Sequence, residues 1–196
     1  AQDELWLNGG SLDMKGYFRS CGGTTSKCPS VLRLDKGTLT MSGTVSVDYA
    51  DTEHSPFEVI IGENIAFAQA TAATVMAFDT PVAGTVGKVT NLGPGKVVFR
   101  DLSGFPETNG FDLSVQGGEI ELDGREMNLG RIDFSGSGVL NLAFEGTEEA
   151  ESLYVNGRQR GQGDYGSTAR LSQRFAGSGL LKVLTGENRG ALVIIR

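Results

Sequence analysis

The chain has 196 residues, a formal net charge of −7 and 39% hydrophobic residues. This length and hydrophobic content suffice for one domain with a sizeable core and argue against a disordered chain. The negative charge argues against nucleic acid and anionic lipid as partners, because both carry phosphates. No run approaches the roughly 20 apolar residues of a membrane helix, so we expect no membrane insertion by this chain.

Short strand-like segments recur from the N-terminal end onwards. Each repeat has an apolar residue, a few small or polar residues with a glycine, and then alternating apolar residues. Alternation with period two predicts a strand with one buried face, and the glycine indicates a turn or a close backbone contact. The repeats align on Gly10, Gly37, Gly95, Gly118, Gly138 and Gly179. Their spacing corresponds to one or two coils of about 20–29 residues, which is typical of a solenoid.

The first interruption of this pattern contains both cysteines of the chain, Cys21 and Cys28. The residues between them are rich in glycine and threonine, so the loop can bring the two sulfur atoms together. We predict a disulfide that closes a loop insertion at 17–30, which would suit an oxidising compartment. A metal site is the weaker alternative, since the only histidine, His54, has no spacing relation to the two cysteines.

The densest polar cluster follows at residues 48–54. Its Asp48, Asp51 and His54 are the candidate catalytic residues, because carboxylates and an imidazole can transfer protons or bind a metal. The cluster joins two strand-like runs and is rich in turn formers, so a solvated loop is the competing interpretation. The next segment, Asn64–Phe78, is rich in alanine and is expected to be an irregular coil or a short helix.

Several carboxylates lie in or beside the strand-like segments of the middle of the chain. If they point outward on one face, a pair of them could hydrolyse glycosidic bonds. The alternative is that they keep the sheet soluble and discourage pairing at its edges. These residues are Asp112, Glu119, Glu121, Asp123 and Asp133.

The segment Ser152–Gly166 and the strand-like run Phe175–Gly186 resemble the autotransporter-associated β-strand repeat. The residues that match its pattern are Leu153, Tyr154, Val155, Asn156, Gly157, Tyr165, Gly166, Gly177, Gly179, Leu181 and Val183. The resemblance covers about the last quarter of the chain. It implies a right-handed parallel β-helix in a secreted or surface-exposed bacterial protein, often an adhesin. The cysteine pair departs from the family, and we expect no barrel-forming series of strands within these residues.

The same segment contains Arg158 and Arg160, which are candidate ligand-binding residues for a carboxylate or sulfate group of a glycan. An exposed turn is the competing interpretation. The final run, Ala191–Arg196, is apolar and is a poor cap for a stack of coils. We expect it to contact another subunit or an adjoining segment of chain.

These observations together predict one all-β domain over residues 1–196, a right-handed parallel β-helix of seven to nine coils. An antiparallel β-sandwich or jelly roll is the alternative, because Asp123-Gly124 and Asn156-Gly157 are typical hairpin turns. We expect no cofactor and no metal. The expected function is non-catalytic adhesion, matrix assembly or self-association outside the cytoplasm. A polysaccharide-binding module, or a polysaccharide lyase or glycoside hydrolase of β-helix fold, is the alternative.

Overall fold

A computed structural model of the protein describes residues 3–14, 18–19, 29–48, 58–84, 87–102, 111–124, 127 and 129–186. They form an all-β fold with a short 3₁₀ helix at Ser172–Arg174. The strands of the first half are β1 (Asp3–Met14), β2 (Phe18–Arg19), β3 (Pro29–Met41), β4 (Val45–Asp48), β5 (Glu58–Gln69), β6 (Val75–Phe78), β7 (Val82–Gly84), β8 (Lys88–Asn91) and β9 (Lys96–Phe99). Those of the second half are β10 (Phe111–Val115), β11 (Glu119–Leu122), β12 (Leu129–Phe134), β13 (Val139–Leu142), β14 (Thr147–Val155), β15 (Arg158–Gln159), β16 (Gly163–Tyr165), β17 (Phe175–Gly177) and β18 (Leu180–Val183).

Within the described residues the strands form two sheets. Sheet 1 has the order β1-β3-β5-β8-β10-β12-β14-β18-β16, with β7 beside β5 and β15 beside β14. Sheet 2 has the order β17-β13-β11-β9-β6-β4-β2. The chain passes from one sheet to the other, so most strands pair in parallel with the equivalent strand of the next turn. The fold is therefore a parallel β-solenoid.

The described residues contain five turns that give both sheets a strand of at least four residues, from β3 and β4 to β12 and β13. The turns at the two ends contribute shorter strands, such as the two-residue β2. A solenoid of about five turns is thus established, and the expected seven to nine coils are not confirmed. The parallel pairing excludes the alternative of an antiparallel sandwich. For example, Ile120 of β11 lies beside Leu140 of β13 and Val97 of β9, both in parallel register.

The core consists of rows of apolar side chains that run through the stack. One row contains Ile65, Val89, Leu113, Ile132 and Leu153, each beside its neighbour in the parallel register and nearly inaccessible to solvent. Burying one such side chain contributes about 1.5–3 kcal/mol. The alternation predicted from the sequence produces these rows, because every second residue of a strand points to the same side.

Phenylalanine rings fill the middle of the core. The rings of Phe78 and Phe99, on neighbouring strands of sheet 2, stack with centroids 5.1 Å apart and planes 2° apart. Phe67 of sheet 1 meets Phe78 edge-on at 5.7 Å, and Phe111 meets Phe99 edge-on at the same distance. These contacts connect the two sheets across the interior of the solenoid.

The expectation for Asn64–Phe78 was wrong, since this segment contains the end of β5, a turn and β6. Alanine favours a helix locally, but Ile65 and Phe67 point into the core while Ala66 and Ala68 point outward. The burial of two large side chains per strand outweighs a helix propensity of a few tenths of a kcal/mol per residue.

An insertion interrupts the solenoid between β14 and β17. Asn156 and Gly157, with φ of 51° and 74°, form the tight turn after which β15 runs antiparallel to β14. β16 then pairs antiparallel with β18. The hairpin predicted at Asn156-Gly157 is thus present within the insertion. Among the described residues no strand pairs antiparallel with β11 after Asp123-Gly124, and Asp123 donates its backbone N–H to Phe99 of the previous turn.

None of the helical residues that the structure describes belongs to a segment long and apolar enough to span a membrane.

Candidate functional site

The outer face of sheet 2 carries a cluster of charged and polar side chains, which we call the sheet 2 cluster (Lys96, Glu119, Glu121 and Asn141). Lys96 Nζ lies 2.7 Å from Glu119 Oε1 and 2.8 Å from Glu121 Oε2. Asn141 Nδ2 donates to the same two carboxylates, at 2.9 Å in each case. Parallel register brings these residues together, because Glu119 lies beside Lys96 and Glu121 beside Asn141.

Lys96 is the cation of this cluster, and its neighbours favour its charged form. Burial alone would lower the pKa of its ammonium group, but the hydrogen bonds that it donates to Glu119 and Glu121 and the negative charges of these residues outweigh that effect and raise the pKa. The ammonium group therefore stays charged at neutral pH and pairs with both carboxylates. Such an arrangement links neighbouring turns of the stack through side-chain contacts.

A second set of ion pairs lies just after the strands β6, β9 and β11 of sheet 2. Arg100 Nε lies 2.6 Å from Asp79 Oδ1, and its Nη1 lies 2.5 Å from Asp123 Oδ2. The hydrogen bond to Asp79 is the largest cause that raises the pKa of Arg100, and Asp123 adds to it. The three residues belong to three successive turns, so these ion pairs also run along the stack.

The outer face of sheet 1 has a shallow depression, which we call the groove. It has a volume of about 200 Å³ and is lined by Lys88, Asp112, Leu113, Arg131 and Asp133. Its residues come from β8, β10 and β12, which are neighbours in the sheet. Four of the five lining side chains are charged, so the groove is polar.

The side chain of Arg131 is fixed on two sides. Its guanidinium carbon lies 3.8 Å from the ring centroid of Tyr154 on β14, and its Nη2 donates to Asp133 Oδ2 at 2.6 Å. Its backbone N–H donates to Asp112 Oδ1 at 2.7 Å. By contrast, no described residue pairs with the ammonium group of Lys88.

The carboxylates predicted to share one face are divided between the two sheets. Asp112 and Asp133 line the groove of sheet 1, whereas Glu119 and Glu121 belong to sheet 2. Asp123 lies just after β11, paired with Arg100. The sequence did not indicate this division, because the chain crosses from sheet 1 to sheet 2 at the short corner between Val115 and Glu119.

The predicted catalytic cluster is described only at Asp48, whose backbone ends β4. Asp51 and His54 lie outside the described residues, as do Cys21 and Cys28 of the predicted disulfide and the terminal run Ala191–Arg196. Among the residues that are described, no group of three or more histidine, cysteine, aspartate or glutamate side chains could hold a metal ion.

Arg158 and Arg160 lie on the insertion and not at the groove. Arg158 is exposed and sits opposite Val155, while Gln159 sits opposite Tyr154. Because side chains alternate along a strand, the two arginines point to the side away from Tyr154. They form no common site with Arg131.

Sequence reasoning missed Lys88, Arg131 and Tyr154. Lys88 and Arg131 are 43 residues apart in the chain, about two coils, and Arg131 and Tyr154 are 23 residues apart, about one coil. Only the exact register of the strands shows that such residues share a face, and insertions change that register from coil to coil.

The chain matches no family model, and neither the curated proteins nor the solved structures contain a significant match. The parallel solenoid agrees with the fold implied by the autotransporter-associated repeat, but membership of that family is not confirmed.

Proposed function

We propose that this protein is a non-catalytic β-solenoid of the cell surface or the extracellular space, which acts by self-association and through it in adhesion or matrix assembly. The observation that carries the proposal is the difference in charge between the edge strand β1 and the insertion at the opposite end of the stack. The edge strand β1 contains Asp3, Glu4 and Asp13 and no basic residue. The insertion at the other end contains four arginines and one acid, at Arg158, Arg160, Asp164, Arg170 and Arg174.

The acidic strand β1 also has an edge at which another chain can pair. In the described residues β1 pairs only with β3, which leaves one side of a 12-residue strand without a partner. Exposed strand edges readily pair with another chain. At the opposite end, β15 and β16 turn back antiparallel against β14 and β18. An acidic strand edge and a basic insertion favour head-to-tail contact between two copies.

Further features belong to the same proposal. The proposal includes a right-handed coil, because right-twisted parallel strands favour that sense. It also includes seven to nine coils, and the seven strands of sheet 2 in the described residues support this number when the end strands are counted. The resemblance to autotransporter-associated repeats supports an extracytoplasmic location, as does the predicted disulfide between Cys21 and Cys28. We include the terminal run Ala191–Arg196 as an additional contact. Unchanged mass and solubility after its removal would contradict that role.

Charge reversal tests the self-association. Light scattering should show a mass that rises with protein concentration and falls with salt, because exposed charge pairs are screened. Glu4→Lys on β1 and Arg158→Glu on the insertion should each weaken association, and a mixture of the two variants should form hetero-dimers. Glu63→Lys, at an exposed position of β5, is the matched control and should associate like the unaltered protein. A monomer at all concentrations, or equal effects of Glu4→Lys and Glu63→Lys, would refute the proposal.

Polysaccharide binding is a second candidate function, and the groove on sheet 1 is the observation that favours it. Glycoside hydrolysis is less favoured, because it uses two carboxyl groups that face the substrate while those of Glu119 and Glu121 are engaged by Lys96 and Asn141. Turnover of polysaccharides that is lost on replacing Asp48, Asp51 and His54 by alanine would establish an enzyme instead.

A further inference from the structure

The groove contains more hydrogen-bond donors than the protein itself uses. The ammonium group of Lys88 has three N–H donors, and no described residue accepts from it. Arg131 has five side-chain N–H donors, and one of those on Nη2 is used in the hydrogen bond to Asp133. Both cations line the same depression of about 200 Å³. Two cationic groups with unused donors thus line one groove.

Arg131 is also oriented before any ligand binds. The ring of Tyr154 supports one face of the guanidinium group at 3.8 Å, and Asp133 holds one end of it at 2.6 Å. A planar guanidinium group that is already fixed loses little conformational entropy when it binds a planar carboxylate through two parallel hydrogen bonds. This geometry favours a carboxylate as the ligand group.

The carboxylates of the groove limit which anions fit. Asp112 accepts the backbone N–H of Arg131 through Oδ1, and its second oxygen remains available as an acceptor. Asp112 and Asp133 repel a polyanion such as a nucleic acid, but each can accept a hydrogen bond from a hydroxyl group. A ligand that fits both sets of groups combines one negative charge with neighbouring hydroxyl groups.

We propose that the groove binds a uronic acid unit of a saccharide, with its carboxylate on Lys88 and Arg131 and its hydroxyl groups on Asp112 and Asp133. This inference rests on the second candidate function, polysaccharide binding, and names its ligand class and site. It is independent of the head-to-tail contact, because the groove lies on the outer face of β8, β10 and β12 and not at the ends of the stack.

Calorimetric titration with a glucuronate-containing tetrasaccharide tests the site. We expect binding by the unaltered protein and at least about tenfold weaker binding to the same tetrasaccharide with its carboxyl groups reduced to alcohols, because charge-assisted hydrogen bonds are lost. Lys88→Gln and Arg131→Gln should each weaken binding of the acidic form about tenfold and bring it close to that of the reduced form. Lys182→Gln, on an exposed lysine of β18 away from the groove, is the control and should leave binding unchanged.

The possible results of this titration distinguish a uronate site in the groove from polysaccharide binding elsewhere on the protein. Binding that does not depend on the carboxyl group, or that survives both Lys88→Gln and Arg131→Gln, would overturn the uronate site while leaving polysaccharide binding in place elsewhere. No binding of acidic or neutral oligosaccharides would overturn both. Inorganic sulfate that competes as well as the tetrasaccharide would show a general anion site and so contradict a saccharide ligand. Because Lys88 is exposed and pairs with none of the described residues, Lys88→Gln remains informative even if Arg131→Gln fails to fold.

Discussion

Asn91 donates a hydrogen bond from its buried Nδ2 to the carbonyl oxygen of Glu119, 3.1 Å away in the next turn. The same nitrogen lies 2.9 Å from the carbonyl oxygen of Gly117 and 3.2 Å from that of Gly95. Asn91 is fully buried and stands in a row of apolar side chains, beside Val115. Its carboxamide therefore connects two successive turns at the corner where the chain passes from sheet 1 to sheet 2.

Replacing this carboxamide should destabilise the protein. We expect Asn91→Leu to lower the free energy of unfolding by about 1–3 kcal/mol, because buried carbonyl oxygens lose their donor. Urea denaturation measures the change. Asn64→Leu, at an exposed position of β5, is the control and should change stability by no more than about 0.5 kcal/mol. Equal effects of the two substitutions would show that the corner does not depend on Asn91.

Close contact between glycines at the same corner gives a second prediction. Gly118 has φ of +51°, and a Cβ atom there would overlap the carbonyl oxygen of Gly95 in the previous turn. Gly118→Ala should therefore cost about 2 kcal/mol or more, from backbone strain and from separation of the turns. Gly43→Ala is the matched control, since a Cβ atom at Gly43 would meet nothing within 4 Å. If thermal unfolding shows the same small effect for both, the two turns are not packed as described.

The sheet 2 cluster predicts a pH dependence. The pKa of Lys96 is raised in the folded protein because hydrogen bonds to Glu119 and Glu121 outweigh the effect of burial. A raised pKa in the folded state means that the contribution to stability is complete below the unfolded pKa of lysine, about 10.4, and is lost as pH rises through the folded value.

Lys96→Met should therefore lower the free energy of unfolding by about 1 kcal/mol at neutral pH, as expected for a partly exposed ion pair. The difference from the unaltered protein should shrink above pH of about 10.4. Denaturation by urea between neutral and alkaline pH measures this difference. Lys182→Met provides a comparison with an exposed ion pair to Glu149. A Lys96→Met effect that is constant with pH would contradict the role of the ammonium group.

The class of fold followed from the sequence, but the position of each repeat within a coil did not. Gly10 and Gly37 lie within β1 and β3 of sheet 1, whereas Gly95, Gly118 and Gly138 precede strands of sheet 2. The same sequence pattern thus occurs in both sheets. Any corner that is followed by a half-buried strand needs a glycine and then alternating apolar and polar residues. Alignment of the repeats could therefore predict a solenoid without predicting which residues share a face.

The groove was not predicted from the sequence for a related reason. Local density of charge singled out Asp48, Asp51 and His54, but the groove combines residues such as Lys88 and Arg131 that are separated by two coils. Such residues become neighbours only through the strand register. Insertions such as the one between β14 and β17 make the coil length irregular. A constant repeat length in the sequence therefore does not predict which residues of neighbouring strands lie beside each other.

The parallel stacking of successive turns is tested most directly by engineered disulfides. Thr38 of β3 lies beside Ala66 of β5 in parallel register, and both side chains are half-buried. Neighbouring strands are about 4.8 Å apart, within the range that a disulfide spans. The test uses a background in which Cys21 and Cys28 are replaced by serine.

Mass spectrometry after mild oxidation should show a disulfide within one chain for Thr38→Cys with Ala66→Cys. It should show little or none for Thr38→Cys with Ala68→Cys, because Ala68 lies beside Thr40, two residues further along. Efficient cross-linking of the matched pair alone is the result that stacked parallel turns require. Failure of the matched pair, or equal cross-linking of the two pairs, would contradict the solenoid and with it the end-to-end association proposed for this protein.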